Sequence, residues 1–307
     1  MRNRHTPNRV FFCAALLTLT LPPPVIAFQD CQQANNLNNK AFHRHSEGAP
    51  VAELKRLLKN ALALCPNHPE THNNLADMLR EEKRYAEAIA HYKKALTWRD
   101  FPEAWNGLGE TYYLQNQLPL SLEAHLHACK TDKDSQARIK ELLKDNRYAI
   151  TEENKILNKE SLLLLYDETR REEIDDLLAN CGLRAKIQYV VVFRNLVFNS
   201  GKATLKNASK TQLDKIAAAL KIIKPTHIKI GGHSDNQRWR RKTVEESTQL
   251  NLALSQQRAD TVKNGLTEQG IHQKRVQAKG YGGSYPLVYG NSKTAWAKNR
   301  RVEIEVK

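Results

Sequence analysis

The chain has 307 residues, 40% of them hydrophobic and 26% charged, an ordinary composition for a soluble globular protein with room for two buried cores. Its formal charge of +15 sits at one end: residues 186–307 hold 23 Lys+Arg against 8 Asp+Glu, whereas residues 28–185 hold 22 against 25. Such a basic half suggests nucleic acid in a cytoplasmic protein, but the first residues exclude that partner by directing the chain out of the cytoplasm.

Residues 1–27 combine Arg2, Arg4 and Arg9, the apolar run "VFFCAALLTLTL" and the small-residue ending Val25-Ile26-Ala27. This is the pattern of a secretory signal peptide, with the mature chain starting near Phe28. Pro22 to Pro24 interrupt the run before it reaches the roughly 20 apolar residues of a spanning helix, which argues against an uncleaved anchor. Cys13 lies inside the apolar run and Cys31 follows "FQD", so no lipidation is expected. In an oxidising compartment Cys31, Cys65, Cys129 and Cys181 form an even set open to three pairings, with buried free thiols as the alternative. Their wide spacing does not match the paired cysteines of a zinc site.

Self-similarity follows. "PETHNNLADMLREEKRYAEAIAHYKKAL" from Pro69 is repeated 33 residues later by "PEAWNGLGETYYLQNQLPLSLEAHLHAC" from Pro102, with Leu75-Ala76 matching Leu108-Gly109, and Ala88 matching Ser121. Each unit reads as two amphipathic helices with small residues where they cross. It resembles the tetratricopeptide repeat. A weaker copy fits residues 35–68, where Leu54 replaces a small residue, and "SQARIKELLKD" from Ser135 supplies a cap. Residues 28–145 are thus expected to form a tetratricopeptide-like (TPR-like) α-solenoid. Its groove would take an unidentified protein partner, with Asn74, Arg80, Lys83 and Asn106 among its polar residues; the alternative is a spacer. Cys31 precedes the first repeat's opening helix and Cys65 ends its second helix, and antiparallel packing brings those ends together. Cys129–Cys181 follows by elimination.

Residues 146–185 read as a charged helical connector ending at Gly182, with "LLLLY" docking against one of the domains. From residue 186 onward strands and helices alternate: "IQYVVVFRNLVF", the helix "NASKTQLDKIAAALKII", the strand "THIKIGGHS", the helix "LNLALSQQRADTVKNGLTEQG", then the strands "KRVQAKGYG" and "RRVEIEVK". The expected fold class is α + α/β, a helical solenoid followed by a small α/β sandwich.

Five motifs within this last region, "VFNSGKATL", "GHSD", "NLALSQQRA", "GYGGSYP" and "NRRVEI", stand in the order found in the OmpA-like C-terminal domain, and residues 186–307 resemble that peptidoglycan-binding module. The resemblance implies a wall stem peptide as ligand. Its diaminopimelate ends in an ammonium and a carboxylate, which call for an acceptor carboxylate beside a fork-shaped donor. Asp235 would take the ammonium and Arg258 the carboxylate, with Asn251 two helical turns away and Ser234 keeping the family's hydroxyl. Ser200 and Gly201 stand where the family has an aromatic wall and a polar side chain, so there the backbone would meet the ligand. Sixteen positions separate Asp235 from Asn251 where the family commonly has about eight. The inserted basic loop, with Arg238, Trp239, Arg240 and Arg241, would grip anionic wall or touch anionic lipid headgroups at the membrane surface, or else stay solvated. The resemblance also implies the periplasm of a Gram-negative cell, outer-membrane associated or free of it. No cofactor is implied. His125/His127 and His43/His45 are two apart and would point to opposite sides of a helix, against a metal site. No nucleophile motif, zinc-protease motif or phosphate loop occurs, so the reading is a non-catalytic tether. The alternative is an envelope interaction scaffold whose OmpA-like domain does not bind wall.

Overall fold

The computed structural model describes residues 25–152, 155–188, 190–199 and 202–307. The expected signal sequence, but for residues 25–27, and the pair Ser200 and Gly201 lie outside the described residues. The described chain divides into two compact units, one reaching to His68 and one running from Pro69 to Lys307.

The first unit is a helical hairpin of α1 (Val25–Ser46) and α2 (Val51–Leu64). Ala34 and Ala61 are fully buried beside Cys65, with Cys31, Leu37 and Leu64 packed around them, and Ala41, Leu54, Leu57 and Leu58 are buried as well. A covalent link adds to these contacts. Cys31 and Cys65 are disulfide-bonded across the open end of the hairpin, with Cα atoms 4.8 Å apart. Closing a loop of 34 residues is worth about 4 kcal/mol by chain entropy. Reduction, or the Cys31→Ser/Cys65→Ser pair, should therefore lower the urea midpoint of this hairpin while the second unit unfolds later; a midpoint indifferent to reductant would refute this.

The second unit opens with two further hairpins, α3 (Pro69–Glu81) with α4 (Tyr85–Trp98) and α5 (Pro102–Leu114) with α6 (Leu118–Ala128), followed by α7 (Lys133–Leu143). The glycines of the second repeat are demanded by the helix crossings: a Cβ on Gly107 would lie 2.5 Å from the Tyr92 ring, and one on Gly109 2.7 Å from His125. The two histidines do face apart. His125 is fully buried, 2.9 Å from the Ser135 hydroxyl, and His127 stacks on Trp105 at 4.0 Å. Asn106, expected in the groove, donates to Asp132 and Ser135 at the start of α7.

The segment expected as a connector is built into the fold. Ile150–Thr151 forms β1, α8 is Lys159–Tyr166 and α9 is Glu168–Asn180. They lead into β2 (Val190–Phe193), α10 (Asn207–Ile223), β3 (Ile228–Gly232), α11 (Val244–Glu268), β4 (Val276–Gly280), α12 (Lys293–Asn299) and β5 (Val302–Val306). The five strands form one mixed sheet in the order β1-β2-β5-β3-β4, parallel between β1 and β2 and between β3 and β4, antiparallel elsewhere. Alternation sets its faces: Ile228, Ile230, Val302, Ile304 and Val306 are buried, while Lys229 pairs with Glu305 on the other side.

The "LLLLY" run serves two neighbours at once. Leu162, Leu164, Leu165 and Tyr166 of α8 are buried, α8 packs on both α6 and α10, and the Tyr166 hydroxyl donates to the Ile304 carbonyl at 3.1 Å. Gln117 of the repeats bonds Asn158 N–H and the Ile156 carbonyl, and Gln212 of α10 accepts from Leu157 N–H. Cys129 and Cys181 are disulfide-bonded, joining the end of α6 to the end of α9. Because β1 and α8 complete the sheet and its core, a fragment of residues 186–307 should be markedly less stable than one of residues 146–307. Equal thermal midpoints for the two fragments would show that the segment is dispensable.

Candidate functional site

Two glycines decide where the site forms. Gly232 ends β3 and is in register with Gly280 at the end of β4. A Cβ on Gly232 would lie 2.1 Å from the backbone carbonyl of Ser255, and one on Gly280 2.3 Å from the amide of Gln256. Bare backbone at both strand ends thus lets α11 descend onto the sheet. Ser255 Oγ receives Gly282 N–H at 2.8 Å, and Gln256 Oε1 receives Gly280 N–H at 2.7 Å, which fixes the rotation of the helix. Three residues beyond Ser255, Arg258 then faces the loop that leaves β3, which carries His233, Ser234 and Asp235. The start of α11 is held by a capping box between Thr243 and Glu246.

The result is a cleft of about 590 Å³ between that loop, α11, the segment after β2 and the start of β5. Asp235, Arg258, Asn251 and Ser234 all line it and all are at least nine-tenths buried. Phe198 and Trp239 supply aromatic wall. Charge in the lining is lopsided, with Arg194, Lys206, Arg238, Arg258, Arg300 and Arg301 against the single carboxylate of Asp235.

The individual contacts refine the expected roles. Asp235 accepts from the Gln237 amide at 3.0 Å, from Gln237 Nε2 at 3.2 Å and from an Arg300 guanidinium nitrogen at 2.7 Å. Arg258 donates Nε to the Lys202 carbonyl at 3.3 Å and lies over the Phe198 ring at 5.1 Å. Among the described residues no carboxylate stands within ion-pair distance of it. Burial first, then the positive charge of Arg300, push its guanidinium below the usual arginine range, while Asp235 pulls the other way. Ser234 donates its hydroxyl to the Asp235 carbonyl at 3.0 Å.

Asn251 faces the cleft with its amide already engaged: Nδ2 donates to the Gln237 carbonyl at 3.1 Å and Oδ1 accepts from the Trp239 indole at 2.7 Å. The inserted loop is therefore anchored. Trp239 N–H also bonds Ser247 Oγ at 3.0 Å, and the Trp296 indole donates to Asn236 at 3.0 Å. Arg238 and Trp239 line the cleft, whereas Arg240 and Arg241 stand exposed on the loop outside it. The two arginines of "NRR" divide their work. Arg301 is buried and spends its donors on Glu303, Asn299 and Tyr285, while Arg300 reaches Asp235. Gln237 is a site residue that the sequence did not point to. Arg300 and Arg301 alternate across an end strand, which offered one of the two for the ligand cleft or else for solubility on the solvent face; both line it, and Arg300 is the one that reaches Asp235.

Helical repeats leading into an α/β sandwich, with a cation-rich cleft at the carboxyl end of β3, define a repeat protein carrying a small α/β module. The chain belongs to the OmpA family, whose model matches residues 197–300, and two tetratricopeptide repeat models match residues 57–90 and 76–116. Among curated proteins it is 36% identical over 110 residues to the probable lipoprotein YiaD of Escherichia coli, covering 36% of this chain and 47% of that one. It is 31% identical over 112 residues to the peptidoglycan-associated lipoprotein of Pasteurella multocida, covering 36% of this chain and 69% of that protein. Among solved structures, the T6SS cell wall anchor of Pseudomonas aeruginosa is 32% identical, with 38% of this chain and 79% of that chain covered and a TM-score of 0.33. The chain thus spans about half the length of YiaD. No helix among the described residues is long and apolar enough to cross a membrane.

Proposed function

We propose that this chain is a non-catalytic tether of the Gram-negative envelope that binds the diaminopimelate stem peptide of peptidoglycan in the cleft and a protein partner through its repeats. The observation that carries this reading is the convergence of Asp235 and Arg258, 23 positions apart in sequence, on the lining of one cleft. A buried carboxylate and a buried guanidinium facing a common space match a ligand that ends in both charges. The likeness to a peptidoglycan-associated lipoprotein points the same way. In this reading Ser234 orients the loop, and Asn251 holds Gln237 and Trp239 in place. Export by residues 1–27, without lipidation, would deliver the chain to the periplasm, with residues 28–145 as the partner-binding solenoid.

Sedimentation of the purified full chain with insoluble diaminopimelate-type peptidoglycan tests the reading directly; a chain that stays in the supernatant at moderate salt sinks it. One observation favours the rival reading of an interaction scaffold without wall affinity: the Asp235 carboxylate is already neutralised from within by Arg300.

A further inference from the structure

We propose that Arg300 sets the ligand specificity of the cleft: its ion pair with Asp235 is an internal stand-in for a ligand ammonium, which only a ligand presenting an ammonium and a carboxylate together can displace. The inference rests on the wall-binding reading above. A carboxylate offers about four acceptor positions, and three at Asp235 are filled by the two Gln237 donors and by Arg300. Gln237 is the harder donor to remove, because one of its bonds is made by its backbone and its carbonyl is held by Asn251. Arg300 is the exchangeable one: its side chain is 41% exposed and can swing away from Asp235.

The cost of that exchange depends on what the ligand brings. Arg258 is buried, with the Lys202 carbonyl and the Phe198 ring as its contacts and no carboxylate partner among the described residues. Arg300 is near enough to lower the proton affinity of Arg258 by repulsion. A bare amine taking Asp235 would leave two guanidinium groups facing each other without a counter-ion. A diaminopimelate terminus supplies its own carboxylate to them as its ammonium enters, so one ion pair is replaced by two. The swap is favourable for the zwitterion and unfavourable for a lysine-type stem, whose side chain ends in an amine alone. Discrimination arises from the penalty placed on the wrong ligand.

Isothermal titration of the full chain with two soluble stem tripeptides, differing only in diaminopimelate or lysine at the third position, tests this in wild type, Arg300→Gln and Arg300→Lys. The wild type should prefer the diaminopimelate peptide by about 100-fold or more. In Arg300→Gln the lysine peptide should bind more tightly than it does to wild type and the diaminopimelate peptide more weakly, so the ratio falls by about tenfold or more. Arg300→Lys keeps an internal cation and should keep most of the ratio. Because the ratio is internal to each variant, partial loss of fold lowers both affinities without imitating the effect. An unchanged ratio in Arg300→Gln, or an equal collapse in Arg300→Lys, overturns the proposal and leaves wall binding standing. A wild type that binds neither peptide nor insoluble wall overturns both.

Discussion

Asp235→Ala and Arg258→Ala should each abolish sedimentation with diaminopimelate-type wall at moderate salt. Either change leaves one charge of the ligand unpaired in a cleft where both residues are buried. Truncating one partner of a desolvated charge pair typically costs about 2–5 kcal/mol, or roughly 30-fold to several thousand-fold in affinity. The two variants should differ in residual behaviour. Without Asp235, both Arg300 and Arg258 lack a counter-ion, so the cleft should hold simple carboxylates better while rejecting the zwitterion. Without Arg258, the Asp235–Arg300 pair persists and nothing is gained. The Arg240→Ala/Arg241→Ala pair is the control, since exposed charges act mainly on association rate and on salt dependence. That double variant should still pellet, with weaker binding chiefly at low salt. If it alone fails while both cleft variants pellet like wild type, binding is general electrostatics and the cleft is irrelevant.

Gly232→Ala should cost about 3 kcal/mol or more, although it adds a single methyl group. The added carbon would meet the backbone carbonyl of Ser255 at 2.1 Å, and backbone at the middle of a 25-residue helix cannot rotate aside as a side chain can. For a unit of this size the thermal midpoint should fall by about 6–12 °C. Gly231→Ala is the matched control: its added carbon meets the Tyr281 ring at 3.2 Å, a side chain able to give way, and should cost about 1 kcal/mol or less. Equal midpoints for the two variants would show that α11 is not seated on the strand end. A second readout links fold to site. If α11 is forced outward at Ser255, Arg258 moves with it, so Gly232→Ala protein that remains folded should bind wall peptide poorly.

The long amphipathic elements were legible in the sequence, because α10 and α11 each bury one stripe of apolar and small residues and end at a helix breaker. The strand runs around Ile230 and Ile304 were legible for the same reason, their alternation being enforced by a buried face. The short elements were not. β1 has only two residues, and what makes Ile150–Thr151 a strand is the edge offered by β2, whose paired residues lie 42 positions further on. α12 is seven residues held by a Ser292 cap, too short for a periodicity to show. The same divide runs through the site. Asp235, Arg258 and Asn251 stand in recognisable motifs, but their hydrogen bonds were hidden. The Arg300–Asp235 pair joins residues 65 apart, and the Trp239–Asn251 bond depends on how an inserted loop happens to fold back.

The Cys129–Cys181 bond joins the last repeat to the end of the segment that precedes β2, across 52 positions of chain. In the proposed function the chain would be loaded in tension, with a partner pulling at one end and the wall at the other. A pull entering through α6 reaches Cys181 along a covalent path, so the chain between the two cysteines carries almost none of it. That bypassed stretch contains α7, β1, α8 and α9, the elements whose packing completes the α/β module. Under that load the bridge would act as a strain relief: stress would cross the molecule without peeling α8 from α10 or β1 from β2. Reducing it would leave the resting fold in place and put the load on those non-covalent contacts, which yield one after another as a seam does.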